Sequence, residues 1–169
     1  MNTDEIYFEK VSFDEFRETF EKGRQIAPLG VAETRKIWEA IPLPCRATAG
    51  SAGYDFFLPY EIEVLPEYPL TLPTGIRCHM PPGVVLAIVP KSGLGFKYGL
   101  RLRNSTGIVD SDYYYSSNEG HIQAKLTAEE PVRLPGCAKF MQGIFLPYLT
   151  AANDTASGVR NGGFGSTGV

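Results

Sequence analysis

Thirteen prolines and eighteen glycines divide this chain of 169 residues into short apolar runs, with no single linker to collect them. Proline removes a backbone donor and fixes φ, and glycine weakens a helix interior, so this spacing leaves little room for long helices. It favours short strands joined by turns, and therefore an all-β domain. A hydrophobic content of 43% and a charged content of 21% support one globular unit with a substantial core. The net charge of −3 argues against a broadly basic face, so no direct nucleic-acid binding is expected. A local cationic pocket remains open. No apolar run approaches the ~20 residues that span a bilayer, so no membrane association is expected. The acidic start MNTDEIYFEK has no signal-peptide pattern. Cys45, Cys78 and Cys137 are odd in number and far apart, which reads as reduced thiols in a cytoplasmic protein. They and the two histidines, His79 and His121, show no zinc-ligand spacing.

Residues 1–43 differ in texture from the rest. Ser12 and Glu15 form a capping-box pattern, and Phe13, Phe16 and Phe20 then fall on one helical face, with Gly23 as the stop. A second short helix is expected over Val31 to Ala40, anchored by Ile37 and Trp38 and ended by Pro42 and Pro44. Beyond Cys45 the pattern is one of strands. Ile76, Cys78 and Met80 alternate with Arg77 and His79 as on a half-buried strand, and Pro81-Pro82-Gly83 makes a turn. The continuous run Val84 to Val89 predicts a strand buried on both faces. Further strands are expected near Gly107–Val109, His121–Leu126 and Phe140–Leu146.

Five segments carry chemistry. SAGYDF (51–56) sets Asp55 after small residues and an aromatic, which is equally the pattern of a solvated strand-edge carboxylate. PKSGLG (90–95) offers a cation, a hydroxyl and open backbone, which suits a phosphate cradle or a plain turn. In NSTGIVDSDYYY (104–115), Asp110 ends an apolar triplet, so a strand would hold its carboxylate. Gly120 to Gln123 then looks like the return strand of an open hairpin that could present backbone groups to a base edge. AKFMQGIF (138–145) places Lys139 and Gln142 on an otherwise apolar strand. The last segment, NGGFGSTGV (161–169), surrounds Phe164 with glycines and hydroxyls. It reads either as an idle tail or as an arm with anion-binding N–H groups and one flat ring.

In this order the segments resemble the five motifs of the trimeric deoxyuridine triphosphatase (dUTPase) family, from about Leu43 to Val169. The resemblance implies a distorted β-barrel or jelly roll with a core over 44–149 and a flexible arm over 150–169, preceded by the short N-terminal helices read over 1–43. It implies a homotrimer with shared active sites that cleaves dUTP to dUMP and pyrophosphate with Mg²⁺. Asp110 would be the general base that activates water for attack at the α-phosphorus, and Asp55 would orient the metal through water. Lys91, Ser92 and Gly93 would meet the phosphates, and Gln142 would add a polar contact. Asn104, Gly107, Ile108 and Val109 would line the uracil side together with Ile122 and Gln123, and Tyr113 would stack under deoxyribose. Phe164 would stack on uracil, Gly165, Ser166 and Thr167 would reach the terminal phosphates, and Arg160 would add charge from the arm.

Four features depart from the family pattern. Lys91 and Lys139 stand where arginine is usual, which keeps the charge but loses the planar fork. An insertion around YYSSNE lengthens the hairpin tip, so Tyr114 or Tyr115 competes with Tyr113 for the sugar. Arg160 lies one residue nearer the GGFG than is usual. The N-terminal helices fall outside the common core, as in a bacterial or phage-type branch. Two other readings stand beside hydrolysis. A dCTP deaminase shares the fold, but the GIVDSDY run and the GGFGSTG arm favour dUTPase. A regulatory binder would use the N-terminal segment and the long hairpin tip as the surface for a protein partner.

Overall fold

The computed structural model describes residues 5–23, 29–158 and 160. Along the chain the elements are β1 (Tyr7–Lys10), α1 (Phe13–Gly23), α2 (Val31–Ala40), β2 (Cys45–Arg46), β3 (Tyr54–Phe57) and β4 (Ile62–Val64). Next come β5 (Leu70–Pro73), β6 (Ile76–His79), β7 (Val84–Pro90), α3 (Ser92–Tyr98) and β8 (Arg101–Leu102). The chain continues through β9 (Gly107–Val109), a 3₁₀ turn over Ser111–Tyr115, β10 (Gln123–Thr127), β11 (Val132–Leu134) and β12 (Lys139–Pro147). The largest sheet runs β2-β3-β12-β7-β9, and β5-β10-β8 forms a second. β1 pairs with β6, and β11 with β4. No closed barrel forms among the described residues, and the fold is a distorted jelly roll.

Phe56, Phe140, Met141, Leu86, Leu72 and Leu126 fill the core between the sheets. The N-terminal helix joins it, because Phe16 and Phe20 are fully buried in the same cluster as Leu72 and Ile76. Each such ring contributes on the order of 1.5–3 kcal/mol by leaving water. Both expected N-terminal helices are present with the expected spans.

The capping box, however, is only half formed. The Ser12 hydroxyl accepts from Glu15 N–H at 3.2 Å, but the Ser12 N–H donates to Glu119 at 2.7 Å. Glu15 is thereby left to bond elsewhere. Strand β7 also differs from expectation: only Leu86 and Ile88 are buried, and its other residues are half-covered. The core covers one face of this strand within a single chain, so alternation replaces full burial. On β6, His79 is buried although the alternation places it towards solvent. Tyr7 stacks on it at 4.9 Å between ring centres, and its Nδ1 lies 2.8 Å from the Glu5 carbonyl.

Candidate active site

β9 edges the five-stranded sheet, whereas β10 lies in the second sheet, so the two do not pair as a regular hairpin. The return strand starts at Gln123, two residues later than the sequence pattern suggests. A cleft of about 520 Å³ opens where the strands part. Gly107, Ile108 and Val109 line one side, Ile122 and Gln123 the other, and Asn104, Tyr113 and Arg160 are also on its wall. Unanticipated walls come from two cations, Arg103 and Lys125, and from apolar Ile88, Leu102 and Met141. The Arg101-Leu102-Arg103 alternation, with Leu102 buried, was the available signal for Arg103.

The three neighbouring tyrosines have different surroundings. Tyr113 is buried at the cleft, donates its hydroxyl to the His121 carbonyl at 2.9 Å and accepts from Asn118 Nδ2 at 2.8 Å. Burial raises its phenol pKa, against the Asn118 hydrogen bond, which lowers it. Tyr114 turns away to bond Glu9 and lies beneath the Arg77 guanidinium. Tyr115 is exposed and packs edge-on against Tyr114. Of the three, only Tyr113 is on the cleft wall.

Asp110 occupies the N-cap of the 3₁₀ turn, where its carbonyl accepts from Tyr113 N–H at 3.1 Å. Its carboxylate makes no capping bond, which leaves it available to other groups. One oxygen, Oδ2, pairs with Arg160. Arg160 Nε also donates to Asp112 Oδ1 at 2.9 Å, and the guanidinium lies 5.8 Å from the Tyr113 ring centre. Arg160 thus lies beside Asp110 of the same chain.

Asp55 belongs to a second cluster. It is 2% exposed on β3, with Lys91 Nζ 2.7 Å from Oδ1 and Lys139 Nζ 2.9 Å from Oδ2. This is not the solvated edge carboxylate that the sequence also allowed. Burial pushes its pKa up, but the two ammonium groups outweigh that and hold it below the usual carboxylate range. The positions of the lysines follow from backbone. Lys91 N–H donates to the Phe140 carbonyl at 3.0 Å, and β12 carries a bulge between Lys139 and Met141. Gln142 sits between Asp55 and Val89 in register. Ser92 and Gly93 open α3, a helix where the sequence suggested a turn, and first-turn N–H groups have no intrahelical acceptor.

Asp55, Lys91, Ser92, Gly93 and Gln142 do not line the cleft of Tyr113 within this chain. Phe164, Gly165, Ser166 and Thr167 lie outside the described residues. No three carboxylate, imidazole or thiolate groups gather to hold a metal among the described residues. Asp55 is the hard oxygen donor that Mg²⁺ prefers, and because both its oxygens are paired with ammonium groups, such an ion would reach it through water.

The family model for dUTPase matches residues 39–168. The chain belongs to the dUTPase family. It is similar to the deoxyuridine 5'-triphosphate nucleotidohydrolase of Lactococcus lactis, 38% identical over 134 residues, covering 76% of this chain and 89% of the relative. It is also similar to the crystal structure of the dUTPase from Streptococcus mutans, with a TM-score of 0.60 and 37% identity over 66% of this chain and 89% of that one. A dUTPase from phage phi11 of S. aureus, described with a structural Mg(II) ion, shares the fold at a TM-score of 0.58. At 16% identity, with 70% of this chain and 91% of that one covered, it supports the fold alone. The match to the dUTPase family begins after α1 and most of α2, so β1 and α1 are additions to the matched segment.

Proposed function

We propose that this dUTPase-family chain hydrolyses dUTP to dUMP and pyrophosphate, supplying dUMP and keeping uracil out of DNA. The observation that carries the reading is the cleft itself: residues assigned to base and sugar by the family resemblance line one cavity, with Asp110 linked to it through Arg160. Uracil would enter between β9 and the start of β10, where the backbone along the outer edge of β9 can distinguish it from cytosine by the reversed donor and acceptor pattern. Arg103 and Lys125 bring positive charge to the cleft wall despite the acidic chain, whereas Arg160 is paired with Asp110 and Asp112.

In the reaction, water oxygen forms a bond to the α-phosphorus while the bridge between the α- and β-phosphates breaks, and pyrophosphate leaves. Asp110 takes the proton from that water. Oδ2 is engaged by Arg160, which leaves Oδ1 as the proton acceptor. Asp55 would hold Mg²⁺ through water, and the ion, when bound, would supply neutralisation of the phosphate charge. Lys91 and Lys139 would exchange part of their pairing with Asp55 for phosphate, assisted by Ser92, Gly93 and Gln142. Their separation from the Tyr113 cleft within one chain supports a homotrimer in which neighbouring protomers complete each site. The three unpaired thiols suit a cytoplasmic setting.

Pyrophosphate release measured across the deoxynucleoside triphosphates, with and without Mg²⁺, tests this reading. Release from dUTP alone, dependent on Mg²⁺, is the expected result. Conversion of dCTP to dUTP would instead identify a deaminase. Specificity against ribose is assigned to Tyr113, so Tyr113→Ala should raise UTP turnover relative to dUTP by about tenfold or more, as expected when a packed steric wall is lost. An unchanged dUTP/UTP ratio would remove Tyr113 from that role.

A further inference from the structure

Two departures from the family pattern, the N-terminal helix and the lengthened hairpin tip, touch each other beside the cleft. Glu15 on α1 accepts from His121 Nδ1 at 3.0 Å. The other ring nitrogen, Nε2, accepts the Gly75 N–H at 2.9 Å, which places the imidazole proton on Nδ1. His121 is fully buried, so each of these bonds is costly to leave unmade. The backbone of the same residue serves the cleft. Its carbonyl accepts the Tyr113 hydroxyl, and its N–H donates to the Asn118 carbonyl at 3.0 Å. Asn118 in turn donates to Tyr113, and Ile122, the next residue along, is on the cleft wall.

The helix has a second tie to this segment. Ser12 donates its N–H and its hydroxyl to the two oxygens of Glu119, at 2.7 and 2.6 Å. Ser12 and Glu15 therefore hold Glu119 and His121 on either side of Gly120. Gly120 has φ of +71°, and a Cβ there would fall 2.7 Å from Tyr114 Cα. The peptide units around it adopt a fold that side chains elsewhere must secure. Ser116 and Asn118 secure them from within the tip, and the helix secures them from outside it.

We infer that Glu15 is a positioning residue for the sugar end of the cleft, acting through His121 on Tyr113 and Ile122, a role that rests on the dUTP-hydrolysis reading. Glu15 touches neither the cleft nor Asp110. Its loss should loosen substrate fit and leave the chemical step in place, since a small misplacement of a positioning group is felt mainly in binding and selectivity.

The test compares steady-state dUTP and UTP hydrolysis by the full chain and by Glu15→Ala and Glu15→Gln. Glu15→Ala is expected to raise KM for dUTP about tenfold, with kcat within about twofold, and to weaken rejection of UTP, as for loss of one buried charge-assisted hydrogen bond. Glu15→Gln retains an oxygen acceptor for Nδ1–H and should restore most of the KM. A folded Glu15→Ala with unchanged KM and selectivity overturns the assignment, as does a Gln variant no better than Ala. Should Glu15→Ala not fold, Glu15→Asp, which draws the carboxylate back from Nδ1 by one methylene, takes its place; a raised KM at constant kcat supports the role and an unchanged KM overturns it. Amide hydrogen exchange over residues 118–122 needs no nucleotide and separates this outcome from failure of the hydrolysis reading. Faster exchange in Glu15→Ala than in the parent chain is expected, and equal exchange sinks the proposed tie.

Discussion

Asp110→Asn is expected to reduce dUTP turnover by roughly 10²–10⁴, the range lost with a positioned general base, while dUTP still binds. Asparagine matches the carboxylate in shape but does not take a proton from water at neutral pH. The fold has little reason to respond. Asp110 makes no side-chain capping bond, and its side chain is 43% exposed. Its pairing with Arg160 is a part-exposed ion pair, of a kind worth about 0–1 kcal/mol. Arg160 also keeps Asp112, 2.9 Å from Nε. Pyrophosphate release gives the rate, and titration calorimetry with dUTP gives the binding. Substantial residual turnover in a variant that binds normally would exclude Asp110 as the base.

Local pattern made α1 and α2 legible, because the Phe13, Phe16 and Phe20 spacing and the prolines after α2 act over a few residues. What sequence could not place was determined at long range. β1 pairs with β6, strands separated by most of the N-terminal half, and their pairing buries His79 under Tyr7. Glu15 fitted a local capping box in sequence, yet a histidine more than a hundred residues away takes its bond. The glycine-dense run after Pro90 suggested a turn, although Gly99, with φ of +60°, supplies the left-handed C-cap of the helix that forms there. Asp55 shows the same limit at the site. Its burial is tolerable only because Lys91 and Lys139 converge on it from separate strand ends. The choice among Tyr113, Tyr114 and Tyr115 likewise required knowing that Glu9 and Arg77 hold Tyr114 away from the cleft.

Removing Asn161–Val169 is expected to lower kcat/KM for dUTP by about ten- to a hundredfold, the equivalent of the ~1–3 kcal/mol that one base–aromatic stack contributes, with no loss of fold. Arg160 brings the chain to the cleft wall beside Asp110 and Tyr113. Phe164 follows four residues later in sequence, within about 14 Å of extended chain. That reach allows the ring to lie over a base in the cleft, and an arm carried from a neighbouring protomer would lose the same contact. The glycines and hydroxyls around Phe164 would also exclude water from the phosphates, so the deletion should lower kcat as well as raise KM. The buried hydrophobic residues of the described chain end at Met141, so thermal unfolding should change little. Phe164→Ala, compared with the full deletion, separates stacking from phosphate contacts. A deleted chain with near-normal kcat/KM would return the segment to an idle tail, and a Phe164→Ala variant with parental kinetics would assign the loss to the glycines and hydroxyls instead of the ring.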